Sequence, residues 1–241
     1  MNTNATHAVA PAPAYFAVLR SPVGLGLATS LLLVAVIVAD VLSLVSGGYL
    51  YGLLRGAADP GAAVLSVPGI EKRQLVYNLF GLLQSLLYIT TGIVYLCWLY
   101  RLRDNAEVFA PGTHRRHRSW TAWGWLLPVV NLWFPRRITL DIWNASRPEG
   151  PYAPDRPGRG PINLWWGFWL VQGFVALVGG AVYDMTQSVG TANVGLGLLM
   201  LADLLDIACA VLAIRLVRTL THMQHVKGMH GPVARSGEPV G

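Results

Sequence analysis

Four apolar windows, about residues 23–45, 76–100, 162–183 and 191–214, leave this chain few ways to fold. Each is near the ~20 residues that a helix needs to cross the hydrocarbon core of a bilayer. The expected fold class is therefore all-α, a polytopic membrane helix bundle with four transmembrane helices. Composition agrees, since the chain is 54% hydrophobic and 12% charged, against about 25% charged in a soluble domain. The first window follows one cation, Arg20, and is longer than the roughly 7–15 apolar residues of a secretory signal. It reads as a retained anchor.

A fifth apolar stretch is harder to place. SWTAWGWLLPVVNLWFPRR, Ser119 to Arg137, carries four tryptophans and two prolines between basic clusters. Its 16 residues from Ser119 to Phe134 would reach only about 24 Å as a helix, short of the ~30 Å core. Two readings stand: a re-entrant element over residues 120–135, or a short kinked span. Charge favours the first. With four spans and both termini cytoplasmic, 15 of the 18 lysines and arginines face inward, against 12 if the segment crosses. The expected location is the cell membrane.

The same charge logic sets the rest of the plan. Residues 1–21 and 224–241 read as disordered tails around a single helical domain over 22–223. Residues 47–74 read as a loop of unclear fold. Residues 136–147 place Ile138, Ile142 and Ala145 on one face, as in a helix lying on the inner leaflet. Residues 148–161, with five prolines and three glycines, read as a linker. Asn163, Trp165, Trp166 and Trp169 then resemble an interfacial aromatic belt. Gly24 with Ala28, and Ala176 with Gly180, are small-residue pairs that permit close helix approach.

Three aspartates carry the main functional signal. Asp40 lies in the first window and Asp203 and Asp206 in the last, the latter two on one helix face. Ionisable groups at that depth are costly and mark ion or proton pathways by default. No lysine or arginine lies at comparable depth, so the carboxyls must be protonated, bonded to groups such as Gln84, Tyr88, Thr91, Gln172 or Asn131, or shared with a cation. The candidate proton or cation site is thus Asp203, Asp206, Asp40 and Asn131. The plain alternative is polar glue between helices.

The cations point to lipid. Arg101, Arg103, Arg115, Arg116, Arg118, Arg136 and Arg137 flank the spans and are expected to contact anionic headgroups. The formal charge of +6 has no soluble domain on which to build a nucleic-acid face. All six histidines lie outside the windows, which argues against a membrane-embedded haem. His114 with His117 and His222 with His225 are i, i+3 pairs, yet neighbouring arginines oppose a metal there. Cys97 and Cys209 read as packing residues. The pattern of an intramembrane aspartyl protease fails, because Asp184 stands at a span end and Gly195–Gly197 is not followed directly by aspartate.

WLYRLRDNAEVF (Trp98 to Phe109), GWLLPVVNLWFPRR (Gly124 to Arg137), DIWNAS (Asp141 to Ser146) and IRLVRTLTHMQ (Ile214 to Gln224) together resemble the actinobacterial multi-pass membrane proteins grouped as domain of unknown function 4328. The resemblance covers about residues 75–225 and implies membrane location and a helical fold. It brings no catalytic residue and no cofactor. The expected function is a non-enzymatic membrane scaffold or a lipid- or partner-binding module with a basic cytoplasmic face, whose partners are anionic lipids and a membrane protein or a second copy. The alternative is a small proton- or cation-coupled transporter, or a subunit of one. A third reading is a lipid-modifying enzyme that uses Asp141 or Glu107 at the interface.

Overall fold

The computed structural model describes residues 19–57, 59–148, 159–185 and 188–229. The tail before residue 19, most of the proline-rich linker and the chain from residue 230 lie outside the described residues. Among the described residues six α-helices follow in order: α1 (Val23–Arg55), α2 (Ile70–Phe109), α3 (Trp120–Leu126), α4 (Phe134–Ser146), α5 (Arg159–Asp184) and α6 (Val189–Met229). Among the described residues there is no strand, only an isolated antiparallel bridge between Ala63 and Ser188. Helices α1, α2, α5 and α6 are long and apolar enough to cross a membrane. The chain is an all-α polytopic bundle.

The long helices lie side by side, α1 between α2 and α6, and α6 between α1 and α5. One end is held by Leu50 and Leu54 of α1, Ile70 of α2, and Val189, Ala192 and Leu196 of α6. At the other, Trp98, Leu99 and Leu102 of α2 meet Ile138 and Ile142 of α4, Ile162 and Trp165 of α5, and Leu216 and Leu220 of α6. This second end, hereafter the basic end, also carries Arg20, Arg103, Arg115 and Lys227. Both α2's last turns and α5's first turn belong to it. The chain between them therefore leaves and rejoins the bundle at one end.

That intervening chain is broken where its prolines require. Helix α3 stops at Leu126, Leu127 turns extended ahead of Pro128, and a single 3-10 turn at Val130–Leu132 leads to α4. Pro128 has no N–H to give and disfavours a helical residue before it. Pro135 falls in the first turn of α4, where a missing donor costs nothing. Trp125 anchors the break, its ring 5.5 Å from Tyr95, 5.9 Å from Trp166 and 5.6 Å from Trp169. The indole N–H of Trp166 donates to the Leu132 carbonyl at 3.2 Å. Trp123, Leu126, Leu127, Val129 and Leu132 face outward.

Several expectations need correction. Residues 47–55, read as loop, continue α1, because Leu50 and Leu54 bury against α6. Helix α6 runs past residue 223 to Met229 with Gln224 buried, so the C-terminal tail begins later. Arg159 to Pro161 belong to α5 and not to a linker. Residues 19–21 are not free tail, since Asn105 holds the Arg20 backbone. The apolar face of α4 was placed correctly, but it covers protein: Ile138, Ile142 and Ala145 are buried in the basic-end core. Trp165 and Trp166 likewise belong to the core and not to a headgroup belt.

The small-residue pairs also differ from those expected. A side chain at Gly24 or Gly180 would meet nothing, whereas one at Gly26 would strike Thr221, at Gly179 Leu198, and at Gly195 the Tyr183 backbone nitrogen at 2.6 Å. Helices α5 and α6 close on Gly179 and Gly195, and α1 closes on α6 at Gly26.

Candidate functional site

Three helices bring polar side chains to one depth. Asp40 lies about fourteen residues before Leu54, Gln84 about fourteen after Ile70, and Asp203 about fourteen after Val189, or ~21 Å along each axis. Leu54, Ile70 and Val189 share one cluster, so the three side chains start from a common level. Because α1 lies between α2 and α6, Asp40 faces both neighbours.

The Gln84 amide joins them, Nε2 donating to Asp40 Oδ1 at 2.6 Å and to Asp203 Oδ1 at 3.0 Å. Ser43, one turn from Asp40, serves Asp203. Asp206 lies within hydrogen-bonding reach of Asp40 and of the Tyr88 hydroxyl. Asp40 is wholly buried, and Asp203 and Asp206 are buried. Among the described residues, the groups acting on these carboxyls are other carboxyls, an amide and hydroxyls, with no cation. Oδ2 of Asp40 and Oδ2 of Asp206 each lack a donor.

Two facing carboxylates with no cation cannot both stay ionised in a medium of low dielectric, and a proton shared between them removes the conflict. The same proton supplies the missing donor. Among the described residues no three His, Cys, Asp or Glu side chains are arranged to hold a metal ion. The arrangement suits holding and releasing a proton.

Of the site residues expected from sequence, Asp40, Asp203 and Asp206 converge with Gln84 and Tyr88. Asn131 does not join them. It lies on the 3-10 turn of the broken segment, its amide oxygen buried without a partner. That segment packs at the level of Tyr95, two helical turns or ~10 Å from Tyr88. Gln84, Tyr88, Thr91 and Tyr95 form one stripe on α2, at i, i+4, i+7 and i+11. The hydroxyls of Thr91 and Tyr95 are buried without hydrogen-bond partners. A line of polar groups thus runs from the aspartates toward the basic end.

The basic end is more internally committed than the sequence implied. Arg103 is buried, with Nη1 2.7 Å from Glu107 Oε2 and Nη2 on the Arg116 carbonyl. It is not a surface headgroup contact. Arg136 forks onto Asn163 Oδ1 at 2.9 and 2.7 Å, Arg101 donates to the Ser21 carbonyl, and Arg118 pairs with Asp104. Arg115, Arg116 and Arg137 are exposed. Glu107 also accepts the Gly112 N–H, in a turn whose φ of 71° requires glycine. Asp141 accepts the Arg115 backbone N–H, and burial pushes its carboxyl up. Both acids named for interfacial chemistry are tied into structure.

Sequence reading missed Asn105 and Gln224. Both are buried, and they hydrogen-bond to each other at 3.0 Å. The signal was there: each continues a buried stripe, Trp98, Leu102, Asn105 on α2 and Val217, Leu220, Gln224 on α6. A polar residue at a core position of that repeat needs a buried partner.

His114, nearly enclosed, has Nδ1 3.3 Å from Glu107 Oε2, yet neither ring nitrogen completes a hydrogen bond. Burial pushes its imidazole down to about 4, Arg103 adds to this and Glu107 opposes it. The unfolded chain accepts a proton near ~6.5, before the folded chain does. Stability is therefore full above that value and falls as pH drops from about 6.5 to about 4. Melting of the purified protein in detergent is expected to lose on the order of 2 kcal/mol across this window. His114→Phe should remove that step.

Comparison with known proteins gives a family match. The family model described as Domain of unknown function (DUF4328) matches residues 64–222. No curated protein and no solved structure matches the chain.

Proposed function

The chain belongs to the DUF4328 family, and we propose that in this member the carboxylate cluster is a proton site, the working part of a small proton-coupled membrane transporter or transporter subunit without enzymatic activity. One observation carries the reading: Asp40 and Asp206 face each other, each with an undonated Oδ2, while Gln84 bridges Asp40 to Asp203. Polar glue would need its hydrogen bonds complete. Here Oδ2 of Asp40 and Oδ2 of Asp206 lack a donor unless the cluster holds a proton. The stripe through Thr91 and Tyr95 supports a route for that proton toward the basic end.

In this reading the protein lies in the cell membrane with its basic end and both termini cytoplasmic. The α3–α4 segment dips into the inner leaflet and returns, its outward Trp123, Leu126 and Val129 against lipid. A second reading, a lipid- or partner-binding module, draws support from the arginines gathered at that end.

Infrared difference spectroscopy of the purified protein tests the first reading. The wild type is expected to show a protonated-carboxyl band that titrates with pH, absent in Asp40→Asn and reduced in Asp203→Asn. Proteoliposomes carrying either variant should lose proton flux. If no such band titrates, and Asp203→Asn leaves proton flux unchanged with assembly intact, the proton reading is wrong.

A further inference from the structure

A cavity of about 760 Å³ opens at the basic end between Arg20, the last turns of α2 and the loop at residues 114–118. Two carboxylates line it, and both are taken. Glu107 holds Arg103 at 2.7 Å, and Asp104 holds Arg118 through a fork, with Nε to Oδ1 and Nη2 to Oδ2 each at 2.7 Å. Arg20, Arg115 and Arg116 remain as a positive surplus on the cavity wall. Asp141 lies outside that wall, accepts the Arg115 backbone N–H and also attracts Arg115 and Arg116, so it offsets part of the surplus but not all of it.

The backbone of Arg20 and of Arg115 and the guanidinium of Arg116 are held in place. The Arg20 backbone is gripped from both sides by Asn105, whose Oδ1 accepts its N–H at 3.0 Å and whose Nδ2 donates to its carbonyl at 2.8 Å. The Arg116 guanidinium lies over the Phe134 ring at 4.3 Å, and its carbonyl is held by Arg103. His114, buried in the same wall, has both ring nitrogens unsatisfied. Clustered guanidinium groups with surplus charge, one of them seated on an aromatic ring, match the tetrahedral, multiply charged phosphate group better than a single carboxylate. The volume falls in the ~300–1,000 Å³ range of small-ligand sites and leaves room for an organic group on the phosphate.

We infer that this cavity binds a phosphate group, presented either by an anionic lipid headgroup or by a soluble phosphate ester. The inference is independent of the proton site and gives the lipid-binding reading a defined location.

Full-length protein is titrated in detergent with inorganic phosphate and with glycerol 3-phosphate. It is also placed in nanodiscs of phosphatidylcholine with or without phosphatidic acid, and melting is followed throughout. Stabilisation by the soluble probes assigns a soluble ester; stabilisation by phosphatidic acid alone assigns a headgroup. Either effect should weaken on the order of a hundredfold in apparent affinity in Arg20→Gln/Arg115→Gln/Arg116→Gln. Asp104→Asn, which frees Arg118, should tighten it roughly fivefold. If the triple variant melts poorly without probe, Arg115→Gln alone, at an exposed position, is expected to weaken binding about fivefold. No stabilisation by any probe, or stabilisation that these variants leave unchanged, overturns the inference. Loss of phosphate binding with the titrating carboxyl band intact would sink this site and leave the proton reading standing.

Discussion

Gln84→Leu is expected to destabilise the bundle by about 3 kcal/mol, read as a lower melting temperature in detergent. The substitution keeps the side chain's bulk and removes a nitrogen that donates to both Asp40 Oδ1 and Asp203 Oδ1. Each buried acceptor that loses its donor costs roughly 1–3 kcal/mol, and these two have no cation to fall back on. Replacing the whole cluster should behave differently. Asp40→Val/Gln84→Met/Asp203→Val/Asp206→Val removes donors and acceptors together, and such apolar replacement of a buried polar set is often close to neutral. The fourfold variant should therefore melt nearer the wild type than Gln84→Leu does, while losing the titrating carboxyl band and any proton flux. If Gln84→Leu melts like the wild type, the amide bridge does not hold the helices. If the fourfold variant keeps its flux, the cluster is packing and the function lies elsewhere.

How much of this was open to sequence reading depends on what a periodic pattern can specify. The four windows, the depth of Asp203 and the shared face of Asp203 and Asp206 are local properties of single helices. Convergence is not, because it depends on which helix neighbours which. Asp40 could be grouped with Asp203 and Asp206 by depth alone; that they meet follows from α1 lying between α2 and α6, where the Asp40 side chain meets Gln84 and Asp206 together. Gln84 and Tyr88 could be named as candidate partners for the aspartates, but so could Asn131, which the break at Pro128 holds two turns away.

The face of α4 shows the same limit. Ile138, Ile142 and Ala145 announce an apolar stripe by their spacing, but spacing does not say whether lipid or protein covers it. The arginines near the spans obey the same rule. Their number sets a charge bias, while Arg103 and Arg136 turn inward to Glu107 and Asn163, partners visible only in three dimensions. Helix ends were misplaced for a related reason. Hydropathy marks where a bilayer core would end, and α1, α2 and α6 continue past it as long as protein contacts bury residues such as Leu54, Leu102 and Leu220.

At the basic end, Gln224→Leu is expected to cost about 4 kcal/mol, the largest single effect foreseen outside the aspartate cluster. Gln224 Oε1 accepts from Asn105 Nδ2 at 3.0 Å, and its Nε2 donates to the Leu102 carbonyl at 2.9 Å and to Ser146 Oγ at 3.0 Å. One buried amide thus ties α6 to α2 and to the last turn of α4, while Asn105 extends the network to the Arg20 backbone. Leucine fits the space but takes one partner each from the Asn105 amide, the Leu102 carbonyl and the Ser146 hydroxyl, and such losses within a network exceed those of isolated bonds. A thermal double-mutant cycle with Asn105→Leu separates the network from simple packing. Coupling above about 1 kcal/mol is expected between the two positions; additive losses would mean that the amides act alone. Because Asn105 positions Arg20, the network also has a functional consequence. Gln224→Leu should weaken phosphate-dependent stabilisation several-fold although Gln224 does not line that cavity, whereas Gln84→Leu, some 30 Å along α2 from Asn105 at ~1.5 Å per residue, should leave it unchanged.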